Sequence, residues 1–463
     1  MFTPAEIKAA LKKAKFLGQL PTRFKEISTD SRTVCAGDLF IPLKGPNFGG
    51  RKFIKTALKK GAAALNTKSG LKNYQKIAAA HRRKFTLPVI GITGSSGKTT
   101  TKDMLASILS QKWPVLKNEG NLNNEIGVPK TLLQLEPKHR AAVIEMAMQG
   151  RGEIVQIAQI ARPNIAIITN IGEAHLKQLK NRKNIARAKG EIIDHLPRGG
   201  YVILNADDDY YRFLIERVLE RTNLLCCGKK DNCHCDKASC GLHVISFGIK
   251  NKAFISPCDP SIATLLKSLP LPGEHNIYNA LAAIAVAQIL GLTDKQIAAG
   301  LKKVETSKHR MKIMHHKGIT IIDDTYNANP SSMKAALEML KPIDHRPQTA
   351  DRLPLPCRRI AVLGDMLELG PRAAAYHKEI GKLAAESGID VLIGVGKLAK
   401  HYVAAAQKSG AAKRRGTTCI WYPDAAQAGA GLKKLLRRGD TVLVKGSRGM
   451  GMEKCLSLFD CNI

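Results

Sequence analysis

The stretch that decides the fold is Leu87-Pro88-Val89-Ile90-Gly91-Ile92-Thr93-Gly94-Ser95-Ser96-Gly97-Lys98-Thr99-Thr100-Thr101. An apolar run typical of a buried strand leads into a loop of small residues, and a helical pattern over Lys102 to Leu109 follows. Glycines allow backbone N–H groups to close around a polyphosphate, and a helix N-terminus adds a positive dipole. The sequence therefore predicts a nucleotide-binding loop, in which Lys98 reaches the terminal phosphates and the Thr99 hydroxyl binds Mg²⁺.

One position departs from the strict phosphate-loop pattern, which has glycine where Ile92 stands. Because only the shorter form Thr93-Gly94-x-x-Gly97-Lys98-Thr99 is present, an ordinary strand-to-helix turn is the alternative. The strand before the loop and the helix after it favour nucleotide binding. The residues predicted to bind the nucleotide here are Gly94, Ser95, Ser96, Gly97, Lys98, Thr99 and Thr100.

Length and hydropathy predict a soluble protein of several domains. A chain of 463 residues suggests about three domains, each able to bury its own core. No apolar run approaches the roughly 20 residues that span a bilayer. Lysines at positions 12, 13 and 15 interrupt any apolar start, so a signal peptide is not favoured. We therefore expect a cytoplasmic location without membrane insertion.

Charge and cysteine content exclude few functions. The net charge of +35 is spread along the whole chain and is densest before residue 89, where 19 basic residues face 4 acidic ones. Aromatic residues are only 5% of the chain, so solvated lysine faces, or attraction of anionic substrates, explain the charge better than nucleic-acid binding does. Six of the eleven cysteines fall between Cys226 and Cys258. Their spacing fits structural zinc poorly, which favours reduced thiols in a surface loop over a metal site.

Apolar strands alternate with helical segments over most of the chain. This pattern predicts an α/β protein of three domains: a small α/β domain over residues 1–86, a central P-loop domain with a parallel sheet over 87–308, and a C-terminal doubly wound, Rossmann-like domain over 309–463. In the first domain a helix is predicted over Phe53 to Leu65. In the C-terminal domain Pro342 to Arg358 is predicted to be an exposed loop. The predicted strands after the first are residues 141–145, 165–170, 201–205, 319–323, 359–364, 391–395 and 441–445, and further helices are predicted over 277–290 and 331–340.

Three polar side chains of the central domain are candidates for a metal site. Glu145 ends an apolar strand, and His175 and Lys189 follow the next one. Ligands gather at the carboxyl ends of parallel strands, so a carboxylate and an imidazole beside a phosphate loop suit Mg²⁺. An ammonium group repels a metal, which makes Lys189 hard to place. The alternative is that all three are ordinary polar groups at strand ends or on a helix surface.

Two further polar clusters follow strands of the predicted C-terminal domain. The run from Asp323 to Pro330 offers paired acids and amides suited to a ribose, or to an amine and a carboxylate, with a capping and turn cluster as the alternative. The run from Lys445 to Lys454 offers clustered donors suited to an anionic group.

Taken together, these segments resemble the Mur ligase family, the ATP-dependent amide-forming enzymes of peptidoglycan precursor synthesis. The motifs occur in the family's order and cover nearly the whole chain. The runs 121–129, 324–330 and 364–370 favour the members that join D-alanyl-D-alanine to UDP-N-acetylmuramoyl-tripeptide over siblings that add other amino acids. The segments that carry the resemblance are residues 93–100, 118–129, 145–146, 186–191, 273–280, 323–330, 364–370 and 445–454.

The resemblance implies roles for individual residues. It implies that Lys98, Glu145, His175 and Lys189 form the catalytic group, with Lys189 carbamylated and thereby turned into an anion that can bind metal. The implied Mg²⁺ ligands are Thr99, Glu145, His175 and the carbamate of Lys189. The implied ATP contacts beyond the loop are Asn279, Arg310 and Asp324. The implied contacts to the nucleotide-linked substrate are Asp30, Ser31, Arg32, Asn121, Asn123 and Asn124, and those to the dipeptide and the acyl phosphate are Asn327, Asn329, Lys445, Ser447 and Arg448.

The implied activity is a ligation that uses ATP and Mg²⁺ to activate a carboxylate as an acyl phosphate, on small-molecule substrates and in a monomer. The residue that ends the stem tripeptide, diaminopimelate or lysine, stays open. Three alternatives stay open as well: a sibling ligase that adds another amino acid, a basic nucleic-acid-associated P-loop ATPase, and a non-catalytic binding protein with the same fold. Departures from the family pattern at residues 48–51 and 147–149 weaken detailed expectations about uridine contacts and the central domain.

Overall fold

The computed structural model describes residues 2–45, 49–225, 241–305, 309–340 and 358–459. Within these ranges the chain forms three sheets, one of four strands and two of six strands. The cysteine-rich stretch 226–240 and most of the loop predicted over 342–358 lie outside the described residues. Cys258, the last of the six clustered cysteines, is exposed and free.

The first sheet is small and mixed. Its strand order is β1-β4-β3-β2, with β1 antiparallel to β4 and the other pairs parallel. The helix predicted over Phe53 to Leu65 is wrong in its second half, because Gly61 at φ 80° turns the chain and the next residues form a buried strand. The strands are β1 Phe16–Leu17, β2 Ile27–Ser28, β3 Leu39–Phe40 and β4 Ala63–Leu65, and the helices are Pro4–Leu11, Ile54–Lys59 and Gly70–Arg82.

The second sheet is entirely parallel, with strand order β10-β9-β8-β5-β7-β6. Its central strands are buried on both faces, which explains their unbroken Val, Ile and Ala content. One apolar core lies on each face of the sheet. The strands are β5 Val89–Thr93, β6 Val115–Lys117, β7 Ala141–Glu145, β8 Ile165–Ile168, β9 Tyr201–Asn205 and β10 His243–Phe247, and the helices are Lys98–Leu109, Gly127–Leu132, Glu153–Ala161, Leu176–Leu179, Arg182–Gly190, Tyr211–Leu225, Pro260–Leu266, Glu274–Ile289 and Asp294–Lys302.

The third sheet has strand order β11-β12-β16-β13-β14-β15, and all its pairs are parallel except β11 with β12. The sequence did not predict β11, because this edge strand is polar and mostly exposed. The strands are β11 Lys312–His316, β12 Ile319–Asp324, β13 Arg359–Gly364, β14 Val391–Val395, β15 Thr418–Tyr422 and β16 Thr441–Lys445, and the helices are Pro330–Glu338, Ala373–Glu386, Lys400–Lys408, Gly410–Arg415 and Ala425–Leu435.

This architecture confirms the predicted fold class of three α/β units with parallel sheets. The proposed boundaries at 86/87 and 308/309 stay a prediction. No helix among the described residues is both long and apolar enough to cross a bilayer.

One helix contact of the central core depends on a glycine. The Cβ atom of an alanine at Gly300 would lie 2.3 Å from the Cα atom of Ile108, in the helix that follows the phosphate loop. We expect Gly300→Ala to lower the free energy of unfolding by about 1–3 kcal/mol, because two helix backbones must separate. The measurement is the thermal unfolding midpoint.

The control is Gly410→Ala, also at a helical glycine, where the added Cβ would meet only the flexible end of Arg414 at 3.4 Å. An equal midpoint for the two variants would contradict the close packing at Gly300.

Candidate active site between the central and C-terminal sheets

A cavity of about 560 Å³ lies where the carboxyl ends of the central and C-terminal strands meet. The central half contributes the loop of residues 95–100 together with Glu145 and His175. The C-terminal half contributes Arg310, Asp324 and Lys445, and the β12–β16 register places Asp324 opposite Lys445. Open parallel sheets gather their ligands at this edge.

The loop after β5 requires glycine at two positions. Gly94 has φ 148°, and a Cβ atom there would lie 1.8 Å from the hydroxyl oxygen of Thr169. Gly97 has φ 78°, and its Cβ would lie 2.3 Å from Oδ1 of Asn279. Glycine at these two positions therefore allows the loop to pack closely against Thr169 and Asn279.

The loop after β8 supports the phosphate loop, and the sequence did not single out these supporting residues. The Thr169 hydroxyl donates to the carbonyl of Ser96 at 2.6 Å. The amide N–H of Ser96 donates to Oδ1 of Asn170 at 3.0 Å. Their position directly after an apolar strand was the available signal.

Two lysine ammonium groups share one backbone carbonyl. Nζ of Lys98 and Nζ of Lys189 each donate to the carbonyl oxygen of Gly94 at 2.8 Å. Burial, with the nearby charge of Lys98, lowers the pKa of Lys189 well below its usual value. Burial also lowers the pKa of Lys98, against the opposing attraction of Glu145. Lys98 lines the cavity, and its ammonium makes that surface attractive to anions.

Glu145 is fixed at the end of β7 by hydrogen bonds to both of its carboxylate oxygens. The Thr99 hydroxyl donates to Oε2 at 2.7 Å, and the Asn123 amide donates to Oε1 at 2.9 Å. The side chain of Asn118 bonds to the backbone N–H and carbonyl of the same glutamate. Lys102, fully buried, donates to the carbonyl oxygen of Asn118 at 2.8 Å. The sequence analysis assigned no role to Asn118 or Lys102.

His175 reaches across to the C-terminal half of the molecule. It stands in the left-handed region at φ 62°, and its Nδ1 lies 2.9 Å from Oε2 of Glu368. Hydrogen bonding from His175 lowers the pKa of Glu368.

The residues predicted to contact ATP from outside the loop also line the cavity. Asn279 is buried against Gly97, and its Oδ1 accepts from the Thr101 hydroxyl at 3.2 Å. The guanidinium carbon of Arg310 lies 3.8 Å from the ring centre of Tyr326. Its Nε is buried and lacks a hydrogen-bond partner among the described residues, so an anion in the cavity would supply one. Asp324 pairs with Nζ of Lys445 at 2.5 Å.

The residues predicted to contact the dipeptide divide into two groups. Asn327, Asn329 and Lys445 line the cavity. Asn329 also caps the helix Pro330–Glu338 through the N–H of Ser332, so the capping alternative describes it as well. Ser447 and Arg448 do not belong to the cavity lining, and Arg448 is exposed beside Glu453.

The residues predicted to contact the nucleotide-linked substrate lie mostly apart from the cavity. Asp30 and the exposed Arg32 form a bidentate ion pair in the N-terminal unit, beside Ser31. Of the three asparagines predicted for this role, Asn121, Asn123 and Asn124, only Asn123 lines the cavity. Asn121 is exposed, and Oδ1 of Asn124 accepts from the backbone N–H groups of Ile126 and Gly127.

The donor set fits ATP and Mg²⁺. The glycine cradle and the cations of Lys98 and Arg310 suit a polyphosphate. Thr99 and Glu145 offer hard oxygen atoms side by side. Among the described residues no cluster of three or more His, Cys, Asp or Glu side chains is placed to hold a metal. Mg²⁺ commonly uses one or two carboxylates together with water and substrate phosphates.

The chain is similar to known proteins over most of its length. Three family models match in order: the Mur ligase family catalytic domain over residues 23–97, the Mur ligase middle domain over 92–287 and the Mur ligase glutamate ligase domain over 309–448. A UDP-N-acetylmuramoyl-tripeptide–D-alanyl-D-alanine ligase from Synechocystis is 37% identical over 455 residues, covering 94% of this chain and 92% of that protein. The enzyme of the same name from Bacillus subtilis is 34% identical, covering 92% and 91%.

Solved structures agree with these matches. MurF from Acinetobacter baumannii has a TM-score of 0.80 at 30% identity, covering 98% of each chain. MurF ligase from Thermotoga maritima, solved in complex with ADP, has a TM-score of 0.73 at 26% identity, covering 95% of this chain and 97% of that one.

The buried ammonium of Lys189 predicts a conflict between stability and function. Its pKa is lower in the folded than in the unfolded chain, so the unfolded chain binds more protons and stability rises with pH up to the usual lysine value. We expect Lys189→Met to unfold at a higher temperature than the wild type at pH 7, with a difference that shrinks towards pH 10. The measurement is thermal unfolding in buffer freed of carbon dioxide and bicarbonate.

Lys183→Met is the matched control, at an exposed lysine of the same helix. A wild type more stable than Lys189→Met at pH 7 would contradict an uncompensated ammonium at this position.

Proposed function

The chain belongs to the Mur ligase family, and we propose that it joins D-alanyl-D-alanine to UDP-N-acetylmuramoyl-tripeptide in peptidoglycan precursor synthesis, with ATP as the energy source. The observation that supports this most is the convergence of Lys98, Glu145, His175 and Lys189 near one cavity that also holds Arg310 and Asp324. These groups come from two sheets, and together they suit an acid that must be phosphorylated before an amine can attack it.

The proposed reaction has two steps. An oxygen of the terminal carboxylate of the tripeptide attacks the γ-phosphorus of ATP, so the bond to the bridging oxygen breaks and ADP leaves with an acyl phosphate formed. The free amine of D-alanyl-D-alanine then attacks the acyl carbon, loses a proton and expels inorganic phosphate as the amide forms. A carboxylate is a poor acylating agent at neutral pH, so phosphorylation supplies the leaving group.

The chain's own residues supply positioning and charge. Lys98 lies at the head of the helix behind the phosphate loop, and its ammonium and that of Arg310 balance the charge of the transferring phosphoryl group. Thr99 and Glu145 would hold Mg²⁺, which would withdraw charge from the phosphates. Asp324 is proposed for the ribose and Asn279 for the adenine.

The other predicted residues are proposed to contact the dipeptide, the acyl phosphate or the nucleotide-linked substrate. Asn327, Asn329 and Lys445 face the cavity and are proposed for the dipeptide and the acyl phosphate. Ser447 and Arg448, predicted for the same role, lie beside the cavity lining. The N-terminal residues Asp30, Ser31 and Arg32, with Asn121, Asn123 and Asn124, are proposed for the nucleotide-linked substrate. We also propose that the protein is a monomer. We propose a cytoplasmic location because the reaction consumes ATP.

A parallel substrate assay tests the proposed function. Purified protein with ATP, Mg²⁺ and the nucleotide-linked tripeptide receives D-alanyl-D-alanine, meso-diaminopimelate, L-lysine or D-glutamate, and ADP and phosphate are measured. We expect phosphate release with D-alanyl-D-alanine at least tenfold above the other amines. Lys98→Ala serves as the inactive control.

Two outcomes would overturn the assignment. Preference for another amine would make the chain a sibling ligase, and ATP hydrolysis stimulated by DNA or RNA alone would favour the nucleic-acid ATPase. Equal activity in Lys98→Ala would place the observed hydrolysis in a contaminant.

Carbamylation of Lys189 is a separate part of the proposal. The lowered pKa of Lys189 increases the share of neutral amine, and only a neutral amine adds to carbon dioxide. The product is an anion directed at the cation of Lys98 instead of a second cation. We expect one slowly exchanging carbamate signal in the ¹³C spectrum of protein equilibrated with ¹³C-bicarbonate, absent in Lys189→Met and retained in Lys183→Met.

Activity gives the second readout. Removal of carbon dioxide and bicarbonate should lower ligation severalfold, and added bicarbonate should restore it. Full activity in carbonate-free buffer, with no carbamate signal, would show that Lys189 acts as a free amine.

A further inference from the structure

The segment Gly364-Asp365-Met366-Leu367-Glu368-Leu369-Gly370 resembles the family, yet the proposed reaction gives it no role. It follows β13 and forms a loop at the carboxyl edge of the C-terminal sheet. We define residues 365–370 as the β13 loop. Its contacts show what it does.

The β13 loop is fastened to its own sheet at three successive residues. The carboxylate of Asp365 accepts from the backbone N–H of Ala399 at 2.7 Å. The N–H of Met366 donates to Nε2 of His377 at 3.0 Å. The next N–H, that of Leu367, donates to the Ser447 hydroxyl at 2.9 Å. Ser447, which lies beside the cavity lining, therefore holds this loop.

The following residue leaves its own sheet and contacts the central unit. The backbone carbonyl of Glu368 accepts from the N–H of Lys177 at 3.0 Å, and its carboxylate lies 2.9 Å from Nδ1 of His175. Gly370 has φ 66° and packs against the backbone of Lys177, with 3.4 Å from its added Cβ position to Cα. The β13 loop thus connects the C-terminal unit to the central unit at His175, which lines the cavity.

Both residues of this contact stand in a conformation that side chains rarely adopt. His175 and Glu368 each have φ 62°. Such backbone strain persists only where surrounding contacts over-determine it, and it concentrates at functional sites. Fastening at residues 365–367 on one side and the helix beginning at Leu176 on the other provide those contacts.

The chemistry of the pair fixes the histidine ring. An ionised carboxylate only accepts hydrogen bonds, so the proton of a neutral His175 belongs on Nδ1. His175 lines the cavity, and its Nε2 then carries a lone pair and no proton. Carboxylates commonly orient a ligating histidine in this way, and their loss typically reduces affinity or activity 10–100-fold.

We propose that Glu368 is a positioning residue, which fixes the orientation and tautomer of His175 from the C-terminal unit. This rests on the proposed function for its effect on turnover. The arrangement of proton and ring stands on the contacts alone and is tested without substrates.

The first test is spectroscopic. In protein with ¹⁵N-labelled histidine, the signals of His175 are assigned among the 13 histidines by comparison with His175→Ala. We expect the wild type to show Nδ1 protonated and Nε2 unprotonated. Glu368→Ala should shift this balance towards the Nε2–H form, whereas Glu386→Ala, at an exposed glutamate paired with Lys382, should not. An unchanged His175 spectrum in Glu368→Ala would overturn the proposal.

The second test is a double-mutant cycle in phosphate release. Glu368→Ala should lower kcat 10–100-fold with a smaller effect on the KM for ATP, and Glu368→Gln should restore most of the loss because its carbonyl oxygen still accepts from Nδ1–H. In the His175→Ala background the same Glu368→Ala change should alter kcat less than about threefold. Equal effects of Glu368→Ala in both backgrounds would show that it does not act through His175.

The two tests separate the proposals. A wild type that ligates none of the offered amines contradicts the proposed function, and the spectrum still decides the role of Glu368. An active wild type with an unaltered tautomer in Glu368→Ala contradicts the positioning role alone.

Discussion

The carbonyl oxygen of Gly94 is the atom on which the site depends. Two ammonium groups, those of Lys98 and Lys189, converge on it inside the protein. A carbonyl offers only a partial negative charge, so the two cations repel each other and burial penalises both. The folded chain holds this arrangement because the two cores of the central sheet fix β5 and the helix that follows it. Charge that is unbalanced without substrate becomes favourable once a polyphosphate enters.

The polar groups around the two lysines are fixed by hydrogen bonds. Both oxygens of Glu145 accept hydrogen bonds, and Asn118 fixes its backbone on both sides. Lys102, buried in the helix behind the loop, ties Asn118 in turn. Preorganised donors and acceptors need no rearrangement as charge moves during phosphoryl transfer. The two buried lysines and the fixed carboxylate of Glu145 therefore describe the site better than the net charge of +35 does.

The sequence predicted those parts of the structure that depend on residues close together in the chain. The phosphate loop, the buried strands and the fold class follow from apolar runs and glycine positions within short windows. The helix expected up to Leu65 failed because three buried residues pair as strand β4, which only tertiary context decides. Pairing across distance was invisible: 193 positions separate His175 from Glu368, and nothing in either neighbourhood specifies the other. Asn118 and Lys102 were missed for the opposite reason, since their residue types are common and only burial reveals their contacts.

Asn329 shows how one residue can both cap a helix and line the cavity. Asn329 accepts from the N–H of Ser332 and thereby begins the helix Pro330–Glu338, while its residue lines the cavity. A cap fixes the side chain at low entropic cost, because the hydrogen bond is made whether or not a ligand is present. Ser331, in the first turn of this helix, donates to the carboxylate of Glu173 in the central unit, and both residues line the cavity. The turn cluster and the binding cluster that the sequence offered as alternatives are therefore compatible, since the geometry that stabilises the helix is the geometry that presents polar groups to the cavity.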